Sequence, residues 1–261
     1  MSTKMKVIDL FCGAGGFSCG FQQAGFDIVF GIDWEVKSCE TFAFNFPNAE
    51  VCCADVMTYK NYPQADVVIG GPPCKEYSIG NNKRTFDDKE VARFFYLLRG
   101  LKPKYWIMEN VVGVKAVLDR NIHYRILSSH HYGGATRRKR LFAMSHKLDL
   151  EPKQGKVVRD VINVDSPGFR QPYKFQEYRN INIDEPLITL TEARISNECY
   201  VLPNGRSLGI SEMAMLQGFP DNFIFVGGRS HAQQMIGKSV CPNVAKTIAE
   251  AIKQKEGVRK K

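Results

Sequence analysis

The N-terminal segment of the chain constrains its fold more than any other. An apolar run at residues 7–11 leads into a turn with glycines at 13, 15 and 16, and a helical pattern follows at 18–24. A strand that passes through a glycine-rich turn into a helix is a building unit of parallel sheets with crossover helices. Such a turn also brings backbone amides close to a ligand at the helix start. The segment predicts an α/β fold with a ligand site beyond its first strand.

The same alternation continues through the first half of the chain. Short apolar runs, which we predict to be strands, lie at 28–32, 67–69 and 105–108, and helical patterns lie at 36–46 and 86–101. This order predicts a doubly wound, mostly parallel sheet, in which ligands bind beyond the carboxyl ends of the strands.

The second half has a different pattern, and we predict three parts: a main domain at 1–148, a small β- and loop-rich region at 149–225, and a returning segment at 226–261. The middle part has short β-like runs at 157–158, 187–190 and 200–202. In the last part Asn243 is a predicted helix cap, and Val244, Ile248 and Ile252 repeat at the spacing of one helix face.

Composition limits the classes of protein that fit. The 261 residues can bury a sizeable core, and a net charge of +9 favours a polyanionic partner. No apolar run approaches the ~18 residues of a spanning helix, and the first residues show no apolar h-region ahead of a small-residue cleavage site. We therefore expect an intracellular protein, cytoplasmic if prokaryotic. The eight cysteines include no C-x-x-C pair, so we expect free thiols and no metal site.

The glycine turn indicates a particular class of cofactor. Ser18 stands where a dinucleotide fingerprint needs its third glycine, which disfavours a pyrophosphate site. Asp33 follows Gly13 by twenty residues, at the end of the second predicted strand, where a carboxylate can accept both ribose hydroxyls. A nucleoside without a pyrophosphate suggests S-adenosylmethionine. A purely structural glycine turn is the alternative.

Two further strand ends carry reactive groups. Pro72 and Pro73 fix the backbone just before Cys74, at the functional edge of the sheet, which favours a nucleophilic thiol over a buried hydrophobe. Glu109 ends the fourth predicted strand, where it is either a site carboxylate or a charge at a helix N-terminus.

Taken in this order, these segments resemble the cytosine-C5 DNA methyltransferase family over nearly the whole chain. The matching segments are the cofactor turn at 9–17, Pro72-Pro73-Cys74, Glu109-Asn110-Val111, the basic run at 136–140, Leu216-Gln-Gly-Phe-Pro-Asp221 and Gly237-Lys-Ser-Val-Cys-Pro242. The resemblance implies the S-adenosylmethionine-dependent methyltransferase fold with a small target-recognition region at 149–225.

The resemblance also implies a mechanism. Cytosine C5 is a weak nucleophile, so the thiolate of Cys74 would add to C6 and activate C5. A protonated Glu109 would donate a hydrogen bond to N3, and burial would raise its pKa accordingly. Arg138 and Arg140 would lie near the base and its phosphates. The alternative for the basic run at 137–140 is a solvated edge or a nucleic-acid patch.

By the same resemblance, Phe11 stacks on the adenine, Asp33 holds the ribose, Trp34 flanks the ring and Asp55 accepts from the exocyclic amine. Core packing is the alternative for the two aromatic residues. The remaining residues that this resemblance assigns to the cofactor are Gly13, Ala14, Gly15, Gly16, Val56, Pro72, Ser239 and Val240.

The implied partner is double-stranded DNA, from which the target cytosine is flipped, in the context of a restriction-modification system; we expect a monomer. Phosphate contacts would use the basic charge. The recognition region offers several basic residues for phosphates or guanine edges: Arg159, Arg170, Lys174, Arg179 and Arg194.

The chain departs from the family pattern in several places. Lys75 replaces a glutamine, Thr136 a glutamine and Lys238 an asparagine, and only 21 residues separate Asn110 from Tyr132. A compact enzyme of low sequence specificity is the hypothesis that these departures suggest. A tRNA cytosine-C5 methyltransferase and a non-catalytic nucleic-acid-binding relative are the alternatives.

Overall fold

A seven-stranded sheet in the order β3-β2-β1-β4-β5-β7-β6 organises the fold. The computed structural model describes residues 4–73, 89–163, 167–174, 177–190, 200–202 and 204–259. The strands that pair in parallel are β1 (Lys6–Leu10), β2 (Asp27–Asp33), β3 (Glu50–Cys53), β4 (Val67–Gly70) and β5 (Tyr105–Asn110). Strands β6 (His123–Ser128) and β7 (Lys139–Met144) complete the sheet as an antiparallel pair. The predicted α/β fold with a mostly parallel sheet is confirmed.

Helices cover both faces of this sheet. They are α1 (Gly16–Gln23), α2 (Val36–Asn45), α3 (Lys89–Leu101), α4 (Ile210–Gln217), α5 (Arg229–Lys238) and α6 (Pro242–Arg259). One apolar core joins α1, α2 and α6 to the sheet, and a second lies under α3 with Phe94 and Leu97. None of the helices in the described ranges is long and apolar enough to cross a membrane.

The crossover directions reverse between β1 and β4. Strand β1 continues through α1 to β2 on one side, whereas β4 continues through α3 to β5 on the other. In open α/β sheets the ligand crevice lies at this reversal, beyond the carboxyl ends of the strands. Because β7 is antiparallel to β5, with Asn110 opposite Leu141, the start of β7 reaches the same edge.

A second, two-stranded sheet follows in the middle of the chain. Strands β8 (Gly168–Lys174) and β9 (Glu177–Asn182) pair in antiparallel fashion, and Val201 bridges to Arg170. Ile181, Ile183 and Leu187 belong to the same apolar core as the residues of α1 and α6. The region therefore shares a core with the main sheet, and the division into three parts stays a prediction.

In the first half of the chain and in the last helix, the predicted helices and strands lie within a few residues of the observed ones; residues 86–88 of the third predicted helix lie outside the described ranges. The predicted β-like runs at 187–190 and 200–202 form no strand and contain only the isolated bridges of Leu187 and Val201. Five of the described strands, β3, β6, β7, β8 and β9, and the helices α4 and α5 were not predicted. The run at 157–158 is part of a short 3-10 helix, Val158–Asp160, and not a strand. Between Asn110 and β6 a 3-10 helix, Val112–Ala116, stands in place of an α-helix.

Asn243 is not a helix cap. Helix α6 begins at Pro242, and the Asn243 amide donates to the carbonyl oxygens of Ser129 (3.2 Å) and Tyr132 (2.9 Å). Proline suits the first helical position, because it needs no hydrogen bond from its nitrogen there. Asn243 instead ties the start of α6 to the turn before β7.

Candidate active site

A cavity of about 650 Å³ opens at the reversal between β1 and β4. The ends of β1, β2, β4 and β5 line it on one side, and the C-terminal half of α5 with residues 239–240 lines it on the other. Asp9, within β1, and Asp33, at the end of β2, lie toward one end of the strand series that lines the cavity. Arg138, just before β7, and Arg140, within β7, lie at the other end. The site is therefore polarised along the sheet edge, acidic toward β2 and basic toward β7.

The turn after β1 leaves room for a ligand. Phe11 lies in the left-handed region, with φ 59°, a conformation that costs energy for a bulky residue and marks a constrained site. Gly13 has φ 53°, and a β-carbon there would meet nothing within 4 Å. At Gly16, by contrast, a β-carbon would lie 2.4 Å from the carbonyl oxygen of Val240. Glycine at 16 thus lets the 239–240 segment close the cavity.

The Asp33 carboxylate organises the acidic end. Its Oδ2 accepts from the amide of Gly13 at 2.9 Å, and its Oδ1 accepts from the amide of Glu35 at 3.0 Å. Burial raises the pKa of Asp33, while these backbone hydrogen bonds counteract the rise. The carboxylate lines the cavity, and each of its oxygens can accept a further hydrogen bond, for example from a hydroxyl group.

Asp9 is a second buried carboxylate on the cavity wall. It is 1% exposed, and its Oδ2 accepts from the hydroxyl of Ser18 at 2.7 Å, which joins β1 to α1. Burial raises its pKa to about 7, against the lowering effect of the Ser18 hydrogen bonds.

Glu109 lies at the centre of the basic end. It is 7% exposed, and its Oε1 lies 3.3 Å from Nε of Arg140. The two groups are not aligned for a hydrogen bond. Glu109 Oε1 is therefore buried without a hydrogen-bond partner among the described residues. Burial raises the pKa of Glu109, and the charges of Arg140 and Arg138 partly offset the rise.

Arg138 is almost completely buried, at 4% exposure. Its Nη1 donates to the carbonyl oxygen of Leu190 at 3.4 Å, and its Nη2 donates to that of Lys238 at 3.2 Å. Its Nε has no hydrogen-bond partner within the described part of the chain. Burial lowers the pKa of Arg138 to about 10, which leaves the guanidinium charged at neutral pH. Arg138 therefore links the β-rich region, α5 and the cavity.

Asn110 fixes the loop that leads to Cys74. Its amide donates to the carbonyl oxygen of Pro72 at 3.1 Å, and its side-chain oxygen accepts from the amide of Val111. The ends of β4 and β5 are thereby joined beside Glu109. Cys74, the predicted nucleophile, and Lys75 lie outside the described residues.

The structure brings most predicted site residues into one cavity. They are Phe11, Gly13, Ala14, Gly16, Asp33, Trp34, Pro72, Glu109, Arg138, Arg140, Ser239 and Val240. Three predicted residues do not line it. The missing β-carbon of Gly15 would meet Phe46, Asp55 is exposed at a turn after β3, and Val56 is 2% exposed in the apolar core. Their assignment to the cofactor stays a prediction.

Several lining residues were missed by the sequence reasoning. They are Asp9, Glu35, Ser38, Asn110, His231 and Gln234, among others. Asp9 and Asn110 lie within recognised motifs, so their positions near the strand ends were a usable signal. The residues of α5 carried no such signal, because the position of α5 at the cavity depends on how the C-terminal segment packs.

The fold and this cavity define an α/β protein with a polar ligand cavity at the switch point of its sheet. The model of the family described as C-5 cytosine-specific DNA methylase matches residues 5–121 and 153–254. The chain belongs to that family of DNA (cytosine-5)-methyltransferases, whose methyl donor is S-adenosylmethionine. The predicted family, enzyme class and cofactor are confirmed.

Individual relatives agree with this assignment. The chain is 28% identical to the Type II methyltransferase M1.HphI of Haemophilus parahaemolyticus, over 95% of this chain and 86% of the relative. It is 29% identical to M.NgoPII of Neisseria gonorrhoeae, over 96% of both chains. Both relatives are Type II methyltransferases.

Solved structures share the fold. A DNA modification methyltransferase encoded within a prophage (E. coli) has a TM-score of 0.75 at 22% identity, over 96% of this chain and 99% of that chain. The Entamoeba histolytica methyltransferase EhMeth has a TM-score of 0.71 at 18% identity, over 98% and 99%.

Proposed function

We propose that this protein methylates C5 of a cytosine flipped out of double-stranded DNA, through a covalent bond between Cys74 and C6. One observation carries the proposal. Glu109, a buried carboxyl whose pKa is raised, shares a cavity with Arg138, Arg140 and the Pro72-Pro73 loop that leads directly to Cys74. A carboxyl that holds its proton more firmly than usual, beside two cations, suits a base that gains electron density during the reaction.

The acidic end of the cavity fits the cofactor. The open space at Gly13 admits a ligand against the backbone, and Asp33 has acceptor capacity for ribose hydroxyls. Phe11, Trp34, Ser239 and Val240 would enclose the nucleoside, with Gly16 allowing the last two to approach. When bound, S-adenosylmethionine supplies an electrophilic methyl group on a sulfonium.

The basic end would activate the base. The thiolate of Cys74 would form a bond to C6, and the C5–C6 π electrons would shift to C5, which takes the methyl group as the sulfur–methyl bond breaks and S-adenosylhomocysteine is released. Loss of the C5 proton and departure of the thiolate then restore the C5–C6 double bond. Addition places negative charge on N3 and O2, so a hydrogen bond from protonated Glu109 to N3 lowers the barrier. Arg140, beside Glu109, is suited to stabilise the charge at O2.

The proposed reaction requires that the thiol reach C6 of the cytosine, and this requirement constrains how the substrate binds. C6 of a stacked cytosine is shielded, so the nucleotide must leave the duplex to reach a cavity at the sheet edge. Arg138, Arg140 and Lys238 border this cavity and suit the flanking phosphates. Arg159, Arg170, Lys174, Arg179 and Arg194 stay predictions for phosphate or base contacts.

Trapping on duplex DNA that contains 5-fluorocytosine tests the proposal. Fluorine at C5 cannot leave as a cation, so we expect a denaturant-stable protein–DNA adduct that needs S-adenosylmethionine. The adduct should be absent in Cys74→Ser and retained in Cys53→Ser, since Cys53 is an exposed thiol at the end of β3. A native protein that forms no adduct, or an adduct in Cys74→Ser, would refute the covalent step.

A second measurement separates the substrates. Labelled methyl transfer should reach duplex DNA and not tRNA. Preferential labelling of tRNA would show that tRNA is the substrate instead of DNA, and the proposed chemistry of the site would be unchanged.

A further inference from the structure

Arg93 connects α3 to the turn that follows β3. Its Nε donates to the carbonyl oxygen of Val56 at 3.0 Å, and its Nη2 donates to that of Tyr59 at 2.9 Å. The residues lie 37 and 34 positions apart in the sequence. Neither bond belongs to the secondary structure of α3 or of the sheet.

The turn that Arg93 holds is a specific piece of backbone. The carbonyl oxygen of Asp55 accepts from the amides of Thr58 and Tyr59, and the Asp55 carboxylate accepts from the amide of Met57 at 2.8 Å. On its other side, Ala54 donates to the carbonyl oxygen of Asp33 at 2.9 Å. The turn is thus anchored to the end of β2 on one side and to Arg93 on the other.

Arg93 itself is rigidly placed. Its neighbours Val91 and Phe94 are 4% and 0% exposed and hold α3 on the sheet. The Arg93 guanidinium also lies 5.3 Å from the ring centroid of Tyr96. A guanidinium with its stem fixed in this way can present its planar donors to two carbonyls at little further entropic cost.

We propose that Arg93 is a positioning residue for the cofactor: it holds the 55–59 turn, and the bond from Ala54 to the Asp33 carbonyl oxygen joins this turn to the end of β2, whose Asp33 carboxylate lines the cavity. This inference rests on the proposed function, which assigns Asp33 to the ribose of S-adenosylmethionine. Through the Ala54–Asp33 bond, a displaced turn changes the position of the Asp33 carboxylate relative to the ligand.

Packing also holds the apolar side of the turn. Val56 is 2% exposed, and the rings of Tyr59 and Tyr62 pack on Phe30 of β2, with centroids 5.9 Å away in both cases. Loss of Arg93 therefore leaves the turn attached and changes the orientation of its backbone. The affinity for the cofactor should respond more than the stability of the fold.

Calorimetric titration with S-adenosylhomocysteine tests the inference. In Arg93→Met we expect affinity to fall about tenfold or more, the equivalent of one charge-assisted hydrogen bond. Arg93→Lys keeps the charge and part of the donor capacity, so its affinity for S-adenosylhomocysteine should lie between those of the wild type and Arg93→Met. Arg99→Met, an exposed arginine in the last turn of α3, is the matched control and should bind as the wild type does. In steady-state assays KM for S-adenosylmethionine should rise while kcat at saturating cofactor stays close to the wild-type value.

The outcomes separate this inference from the proposed function. If the wild type binds the ligand and Arg93→Met and Arg93→Lys bind it equally well, the positioning role is wrong and the proposed function stands. If Arg93→Met unfolds, Arg93→Lys decides: unchanged affinity overturns the inference, and reduced affinity in a folded protein supports it. A wild type that binds no S-adenosylhomocysteine would overturn both.

Discussion

The buried carboxyl of Asp9 gives a quantitative pH prediction. Burial raises its pKa from an ordinary value of 3.8 to about 7. The folded state therefore holds this proton at pH values where the unfolded chain has lost it. The free energy of unfolding falls as the pH rises from the ordinary pKa of 3.8 to the raised pKa of about 7. Because each pKa unit corresponds to ~1.4 kcal/mol, the full difference amounts to about 4 kcal/mol, of which about 3 kcal/mol falls between about pH 5 and about pH 8.

The substitution Asp9→Asn removes the ionisable group and keeps an oxygen that can accept from the Ser18 hydroxyl. Urea unfolding of the wild type and of this variant, measured from about pH 5 to about pH 8, should show the wild type losing about 3 kcal/mol relative to the variant. Asp27→Asn, at the exposed start of β2, controls for the loss of one carboxylate. Asp9→Asn and wild-type curves that stay parallel within about 1 kcal/mol would refute the desolvation argument.

Two further predictions concern the closure and the mouth of the cavity. In Gly16→Ala the new β-carbon would lie 2.4 Å from the carbonyl oxygen of Val240, so we expect a loss of about 1–3 kcal/mol in thermal unfolding together with weaker cofactor binding. Gly100→Ala in α3, where a β-carbon would meet nothing within 4 Å, is the control and should not destabilise; equal melting of both variants would contradict the packing argument. In Lys238→Asn the slope of log affinity for duplex DNA against log salt should shrink by about 1, as expected for one lost phosphate contact. An unchanged slope would show that Lys238 makes no contact with a DNA phosphate.

The strand-end residues could be predicted because of a general property of parallel sheets. Strands with the same direction bring their carboxyl ends to one edge, so Phe11, Asp33 and Glu109 had to lie near one another once their strands were recognised. The contacts of Arg93 could not be predicted in this way, because its hydrogen bonds to Val56 and Tyr59 depend on how α3 packs on the sheet.

The antiparallel strands escaped prediction for a related reason. β6 has three consecutive exposed residues within its six, and β7 carries the basic pair Lys139 and Arg140 at its start, so neither follows a simple alternating pattern. Both strands form because they pair with each other and with β5, and pairing partners are not a local property of the sequence.

The sequence by itself determined the local units of this protein and the kinds of groups that its site contains. The strand, glycine turn and helix at residues 6–23 follow from short-range patterning, and the order of the motifs indicated cytosine-C5 chemistry. Only the tertiary structure decided which of the charged groups are buried. Asp9, Glu109 and Arg138 are nearly inaccessible, whereas Asp55 is exposed. The free energy of a buried charge depends on atoms from remote segments that displace water from it, and those atoms come together only when the chain has folded.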